Sequence, residues 1–278
     1  MRVFYKIADL ERFLEEGKLE GKTIGFVPTM GALHEGHISL VSKSKSLTDL
    51  TVVSIFVNPT QFNNQEDFEK YPIKTESDLK FLEENSCDAV FIPAKEEIYA
   101  PDYISPEINI GILEDVLEGK FRPGHFKGVI QVVYRLFQIV KPNKAFFGLK
   151  DYQQLAVIKK MTDEFKLPIE IVPCTTIREK DGLAMSSRNL RLNQVERLEA
   201  LFIYETLILA KNLAVKYSPS ETKKIIEDLY EESSLKLEYF EFIDGSSFEK
   251  LSNSWEENAV ACVVAYVGEV RLIDNMQI

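Results

Sequence analysis

Apolar residues along this chain recur at two different spacings, and the alternation between them gives the first expectation of a fold. Residues 23–27, Thr-Ile-Gly-Phe-Val, form a short, partly β-branched run stopped by Pro28. A segment holding Gly31 and Gly36 follows, and the pattern resumes in Ile-Ser-Leu-Val, which suits a helix. Residues 51–57 are apolar on both faces, as a central parallel strand requires, and Asn58-Pro59 closes them. Residues 89–93, 145–148 and 169–172 read as further strands. Helical periodicity covers 75–84, opened by Thr75 with Asp78 as a capping pair, then 128–140 (Val129, Val132, Val133, Leu136, Phe137, Val140) and 151–165. Residues 99–112 show no clear period and are expected to be loop or irregular strand. Strands alternating with helices predict an α/β fold, a Rossmann-like parallel sheet with flanking helices. Ligands are then expected beyond the carboxyl ends of its strands, where Pro28, Asn58 and Gly148 fall.

Beyond residue 172 the pattern changes. One long helix is expected over 193–217, begun by Asn193 with Glu196 three residues on, and a second over 220–232 after Pro219. Residues 235–243 and 259–273 are strand-like with hairpin turns. The expectation is therefore two domains, 1–176 and a smaller C-terminal α+β domain over 177–278, with no Gly/Ser linker and no internal repeat. The 278 residues suffice for either one large core or two modest ones. A net charge of −11, without any block of Lys and Arg, argues against a nucleic-acid surface, so an anionic ligand must be met by a few local cations. Cys87, Cys174 and Cys262 are far apart and in no C-x-x-C pair, which fits small core residues in a reducing compartment. Asp9, Glu11, Glu15 and Glu16 stand where a signal peptide would be apolar, and no run approaches the roughly 18 apolar residues of a membrane span. A cytoplasmic protein is expected.

The first strand, its glycine-bearing loop and the following helix make a junction whose unpaired N–H groups and dipole favour an anion. His34 and His37, at i,i+3, would lie about 60° apart on one helical face and reach one phosphate together. H-E-G-H is one residue short of the zinc pattern H-E-x-x-H, and no third ligand stands nearby, so metal ligation is disfavoured. The carboxamides of Asn58 and Gln61 suit a polar substrate that must be oriented without ionic trapping, although Asn-Pro by itself is a turn signal. In Gly148-Leu-Lys-Asp, Lys150 offers a mobile charge for phosphate. Asp151 can cap the helix or meet a magnesium-bound water, and Gln154 faces the same cleft one turn on; the bland reading is a solvated turn. Residues 178–189, Arg-Glu-Lys-Asp-Gly-Leu-Ala-Met-Ser-Ser-Arg-Asn, read as a lid over a triphosphate, and no G-x-S-x-G elbow marks either serine as a nucleophile. Arg122-Pro-Gly-His125-Phe is either a border of the cleft or a capped turn.

The string from Pro28 to His37 resembles the ATP-binding signature of the pantothenate synthetase family, a variant of the H-x-G-H element of class I tRNA synthetases and nucleotidylyltransferases. Three more segments are similar to that family. Residues 57–62 match its V-N-P-x-Q-F, and residues 148–154 match G-E-K-D-Y-Q-Q except that Leu149 replaces an acidic residue. Residues 178–189 match the counterpart of the K-M-S-K-S loop. Residues 268–275 resemble the family's ending, so the likeness spans nearly the whole chain. It implies an AMP-forming ligase. ATP and pantoate would give pantoyl adenylate and pyrophosphate, and the amine of β-alanine would then give pantothenate and AMP, with Mg²⁺ on the triphosphate and a homodimer as the assembly.

The resemblance also implies roles. His37, His34 and Lys150 would be catalytic. ATP would be held by Met30, Gly31, Ala32, Leu33, His34, Glu35, Gly36 and His37, by Gly148, Leu149, Lys150 and Asp151, and by Ile177, Met185, Ser186, Ser187 and Arg188. Gln61, Gln154, Asn58 and Met30 would bind the acid, and no protein-held metal is expected. Two rivals stand beside this reading: a nucleotidylyltransferase of the same superfamily, which keeps AMP in its product, and a nucleotide-binding regulatory protein without turnover, which would need fewer of these residues.

Overall fold

The computed structural model describes all 278 residues. In chain order its first half comprises β1 (Arg2–Phe4), α1 (Ile7–Leu19), β2 (Ile24–Thr29), α2 (Glu35–Leu47), β3 (Leu50–Ile55), α3 (Gln65–Glu69), α4 (Thr75–Glu84), β4 (Ala89–Phe91), α5 (Lys95–Ile98), α6 (Leu117–Phe121) and α7 (His125–Val140). There follow β5 (Lys144–Gly148), α8 (Tyr152–Glu164), β6 (Glu170–Cys174), α9 (Gln194–Glu199), α10 (Leu201–Leu213), α11 (Pro219–Glu231), β7 (Lys236–Asp244), β8 (Ala259–Val267) and β9 (Val270–Gln277). The first six strands pair in parallel in the order β1-β4-β3-β2-β5-β6. From β2 the chain winds outward through β3 and β4, then crosses to the other side of β2 for β5 and β6. Loops leaving β2 and β5 therefore diverge, and a crevice opens between them at the carboxyl edge.

Successive residues of the buried strands supply opposite cores, which is why these strands read as continuous apolar runs. Phe26, Val52, Ala145 and Phe147 join Leu14, Phe137 and Ile158 on the face covered by α1, α7 and α8. Val27, Val53 and Phe146 join Ile38, Val41 and Leu82 on the face covered by α2 and α4. The last three strands form an antiparallel sheet, β7-β8-β9. Its middle strand is bilingual in the same way: Val260, Cys262 and Val264 enter the first core, while Ala261, Val263 and Ala265 pack with α10 and α11 in a third. All three cysteines are free and buried, and burial pushes their thiols up, Cys87 to about 12. No helix is long and apolar enough to cross a membrane.

Several expectations are corrected. Pro28 stands inside β2 rather than ending it, since an extended strand accommodates its fixed φ and lacks only one donor there. Thr75 does not cap α4 with Asp78: Lys74 is the flanking residue, and Asp78 turns toward the loop after β2. Asp151 precedes α8 but makes no side-chain cap bond. The single helix over 193–217 is two, because Ile203 N–H reaches back only three residues to Ala200 and tightens the chain there. The Asn193–Glu196 capping box does form. Strand β1 and helices α1, α3, α5 and α6 went unexpected; all but α1 are five residues or shorter, too brief to show a period.

The segment between the two sheets is anchored at its root. Arg178 donates to both carboxylate oxygens of Asp274 in β9, at 2.5 and 3.0 Å, and to the Asn275 carbonyl at 3.2 Å. Removing one partner of such a buried pair strands the other charge, so Asp274→Ala is expected to destabilise the fold by about 3–5 kcal/mol. Asp228→Ala, which breaks the exposed Lys224–Asp228 pair, should cost under ~1 kcal/mol. Urea denaturation of both variants makes the comparison; equal losses would show that the Asp274 pair is not a buried anchor.

Candidate active site

The loop after β2 spends its backbone donors on the protein itself. Thr29 Oγ1 donates to the Ser54 carbonyl at 2.7 Å and accepts the Gly31 N–H at 3.2 Å. Both oxygens of Asp78 then take the N–H groups of Ala32 and Leu33, each at 2.8 Å. The N–H groups of Gly31, Ala32 and Leu33, residues that the resemblance implies for ATP, are thus already paired within the protein. His34 is the residue flanking α2, not part of it. Its Nδ1 accepts the Gly36 N–H at 3.2 Å, and its own N–H donates to His37 Nδ1 at 3.3 Å, a reciprocal capping box made by two imidazoles. Gly36 makes room for this, because a Cβ there would stand 2.8 Å from the His34 ring. The ring centroids are 4.1 Å apart.

This arrangement settles the chemistry of the pair. Each Nδ1 accepts, so each neutral ring carries its hydrogen on Nε2. Burial, followed by the charge of Lys150, lowers His34 to about 4. Burial, then His34 and Lys150, hold His37 well below the usual imidazole value. Near neutrality both are uncharged Nε2–H donors, and the positive charge for a phosphate must come from elsewhere.

Across the crevice, β5 ends at Gly148, and residues Leu149–Asp151 make a single 3₁₀ turn into α8. Asn275 of β9 pins that turn by donating its Nδ2 to the carbonyls of Leu149 and Lys150, at 3.0 and 2.8 Å. Leu149 packs its side chain on the main core, so it does not join the cavity, whereas Lys150, Asp151 and Gln154 line it.

At the end of β3, Asn58 Nδ2 donates to Gln61 Oε1 at 3.2 Å, and Gln61 Nε2 donates to Met30 Sδ at 3.1 Å. Asn58 is 1% exposed and does not line the cavity; it orients Gln61, which does, and so its expected contact with the acid is corrected to a supporting one. Phe56, Val129, Val132, Val133, Leu136 and Phe147 give the same cavity an apolar wall.

The segment read as a lid is docked on the parallel-sheet half. Ser187 Oγ donates to the Ala32 carbonyl at 3.0 Å, and Ser186 Oγ accepts the Arg188 N–H at 3.2 Å. Arg188 and Arg191 both donate to Asp67 of α3 at 2.8 Å. The half-open cavity beside this segment is about 220 Å³. It brings together Met30, His34, Gly36, His37, Gln61, Gly148, Lys150, Asp151, Gln154, Ile177, Met185, Ser186, Ser187 and Arg188, and leaves out Gly31, Ala32, Leu33, Glu35, Asn58 and Leu149. Sequence reasoning missed Thr29, Tyr71, Thr175 and Thr176 among the lining residues. It also read the α7 face at Val129, Val132, Val133 and Leu136 only as core. The signal was there: that apolar stripe belongs to the helix leading into β5, beside the switch point.

A switch-point crevice lined by imidazole N–H donors, Lys150 and Arg188 together with two carboxamides places the chain in the class of nucleotide-binding α/β proteins. The profile of the pantoate-beta-alanine ligase family matches residues 2–277. The chain is 48% identical over 280 residues to the pantothenate synthetase of Porphyromonas gingivalis, covering 100% of this chain and 99% of that protein. It is also 48% identical over 279 residues to that of Caldicellulosiruptor saccharolyticus, covering 99% of each. The pantothenate synthetase structure from Thermus thermophilus superposes with a TM-score of 0.93 at 37% identity, over 100% of this chain and 99% of that one. The Francisella tularensis pantoate-beta-alanine ligase, complexed with beta-gamma ATP and beta-alanine, superposes with a TM-score of 0.82 at 36% identity, over 100% and 97%. The chain belongs to the pantoate–β-alanine ligase family.

The buried imidazoles have a pH signature. His34 titrates near 4 when folded and near 6.5 when unfolded, so between these values the unfolded chain binds more protons and stability falls as pH falls. Unfolding measured at pH 7.5 and pH 5 should show a larger loss for the wild type than for His34→Gln. Identical losses would mean that His34 is not held neutral by the fold.

Proposed function

We propose that this protein condenses pantoate with β-alanine at the expense of ATP, through a pantoyl-adenylate intermediate that releases pyrophosphate and then AMP. The supporting observation is one cavity lined by two chemically distinct sets of side chains: the donors His34, His37, Lys150 and Arg188, and the carboxamides Gln61 and Gln154 together with an apolar wall. Pantoate is a small hydroxy acid with two methyl groups on one carbon, which suits hydrogen-bonding carboxamides beside an apolar surface.

Attack of the pantoate carboxylate on the α-phosphorus needs no enzyme nucleophile. It needs alignment, and stabilisation of charge that builds on the bridging and β-phosphate oxygens. The two Nε2–H groups donate to those oxygens, and Lys150 and Arg188 supply positive charge. In the second step the β-alanine amine attacks the acyl carbon, the C–O bond to phosphate breaks, and AMP leaves; by then the pyrophosphate has gone. No group of three or more His, Cys, Asp or Glu side chains is arranged to hold a metal ion, and Asp151 is the one carboxylate lining the cavity. That donor set fits Mg²⁺ carried by the triphosphate with Asp151 meeting its waters, and the ion would neutralise phosphate charge there. The same reading takes residues 1–176 as the ATP- and pantoate-binding domain and 177–278 as the lid domain. It includes a cytoplasmic homodimer, which the family likeness supports.

Pantoate-dependent exchange of labelled pyrophosphate into ATP, with release of AMP only when β-alanine is added, is the expected outcome; AMP retained in the product would indicate a nucleotidylyl transfer instead. Within that reaction, losing one phosphate donor typically costs about 10²–10³ in rate. His37→Ala is therefore expected to slow single-turnover adenylate formation by about that factor, and to spare the conversion of presynthesised pantoyl adenylate with β-alanine. An equal loss in both halves would rule out the phosphate-donor role. For the carboxamides, Gln154→Ala should weaken pantoate binding far more than ATP binding by calorimetry, and the reverse order would overturn this division of roles.

A further inference from the structure

The segment Arg122–His125 carries two side chains that the ligase reading leaves without a task, and both face the turn that bears Gln61. His125 opens α7 and is only 5% exposed. Its Nδ1 lies 2.8 Å from the Gln61 carbonyl oxygen. A carbonyl can only accept, so Nδ1 carries the hydrogen and Nε2 must be the acceptor. Arg122 supplies the matching donor, with Nη1 3.2 Å from Nε2. Burial, and then the charge of Arg122, hold His125 at about 3, so the imidazole is neutral as this pattern requires.

Arg122 is in turn fixed by Glu118 at 3.4 Å. Glu118 is itself gripped from the antiparallel sheet, by two bonds from Arg271 of β9 at 2.7 and 2.8 Å and one from the Tyr239 hydroxyl of β7 at 2.9 Å. Burial alone would raise its carboxyl, and these partners bring it to about 2. Two further contacts press the same turn onto α7. Asn58 Nδ2 donates to the Gly128 carbonyl at 3.1 Å, and a Cβ on Gly128 would stand 2.3 Å from the Thr60 carbonyl oxygen. The first turn of α7 is therefore shaped to seat residues 58–61 by backbone as well as by side chain.

We infer that His125 is a positioning residue for Gln61: its Nδ1–H on the Gln61 carbonyl sets where the carboxamide stands in the acid-binding end of the cavity, and Arg122, held by Glu118, fixes the tautomer that makes this bond possible. The inference rests on Gln61 contacting the acid substrate, as read above.

Steady-state kinetics of the full chain with ATP and pantoate varied separately test it. His125→Phe keeps the bulk and removes both ring nitrogens. It is expected to raise the KM for pantoate roughly tenfold, the worth of one buried hydrogen bond, with the KM for ATP unchanged. His125→Asn places a carboxamide N–H near the site of Nδ1–H and should restore the pantoate KM to within about threefold of wild type. Arg122→Met removes both the donor to His125 Nε2 and the longer bond, 3.4 Å, from Arg122 Nη2 to the same Gln61 carbonyl, and should reproduce the pantoate-specific rise. If His125→Phe does not fold by circular dichroism, the Asn and Met variants decide the matter alone. An unchanged pantoate KM in folded His125→Phe and in Arg122→Met, or an equal rise in both KM values, overturns the positioning role. Gln61→Ala separates the two layers: a pantoate-specific defect there with silent His125 variants sinks only this inference, and no pantoate defect in Gln61→Ala sinks the reading beneath it as well.

Discussion

Asp78 reaches out of α4 and closes both carboxylate oxygens on the Ala32 and Leu33 amides, and much of the site hangs from that contact. The chain leaving β2 has only residues 30–34 in which to turn into α2. Asp78 fixes that turn from the side, which sets His34 at the start of the helix and leaves the Ala32 carbonyl facing the lid, where Ser187 donates to it. Burial raises the Asp78 carboxyl, and the two amide donors oppose that rise. Without those donors a carboxyl buried there would favour its protonated form, and a neutral acid could accept only weakly from the loop.

A second constraint is electrostatic. The chain carries a net charge of −11, yet on the proposed reading its cavity accepts the polyanionic triphosphate of ATP. The protein meets this with few charges and several oriented dipoles. The imidazoles are held neutral, with their δ nitrogens committed to capping α2, so they donate without adding positive charge beside Lys150. Arg188 shares Asp67 with Arg191, which keeps its guanidinium in place while offsetting part of its charge. Donors fixed before substrate arrives cost no reorganisation when charge develops, the condition under which such groups act most strongly.

The alternation of β2 to β6 with α2, α4, α7 and α8 was legible in the sequence because each buried strand feeds two cores and each of these helices one, so period and chemistry agreed. The glycine loop, the lysine turn and the Ser-Ser-Arg segment were legible for a different reason: they interrupt those periods with residues that packing does not require. What could not be read was the partner of each polar group. Asp78 looked like a capping residue from its distance to Thr75, and only the fold shows it serving a loop 45 residues earlier. Asn58 and Gln61 are chemically alike, and nothing local says that one orients the other. The Val129–Leu136 stripe was assigned correctly to the buried face of a helix, but burial against a core and burial against a small cavity leave the same pattern.

Cys87 and Cys174 lie in the core shared with α2 and α4, and Cys262 lies on β8 where the antiparallel sheet enters the core of the parallel one. Thiol reagents need a thiolate and a path to it, and burial withholds both. Alkylation of the native protein therefore clocks transient opening. The Cys262 rate records how often the two sheets part from one another, and the Cys87 and Cys174 rates record breathing within the parallel-sheet half. Three native sulfur atoms thus make the molecule its own recorder of which body loosens first, without an added probe.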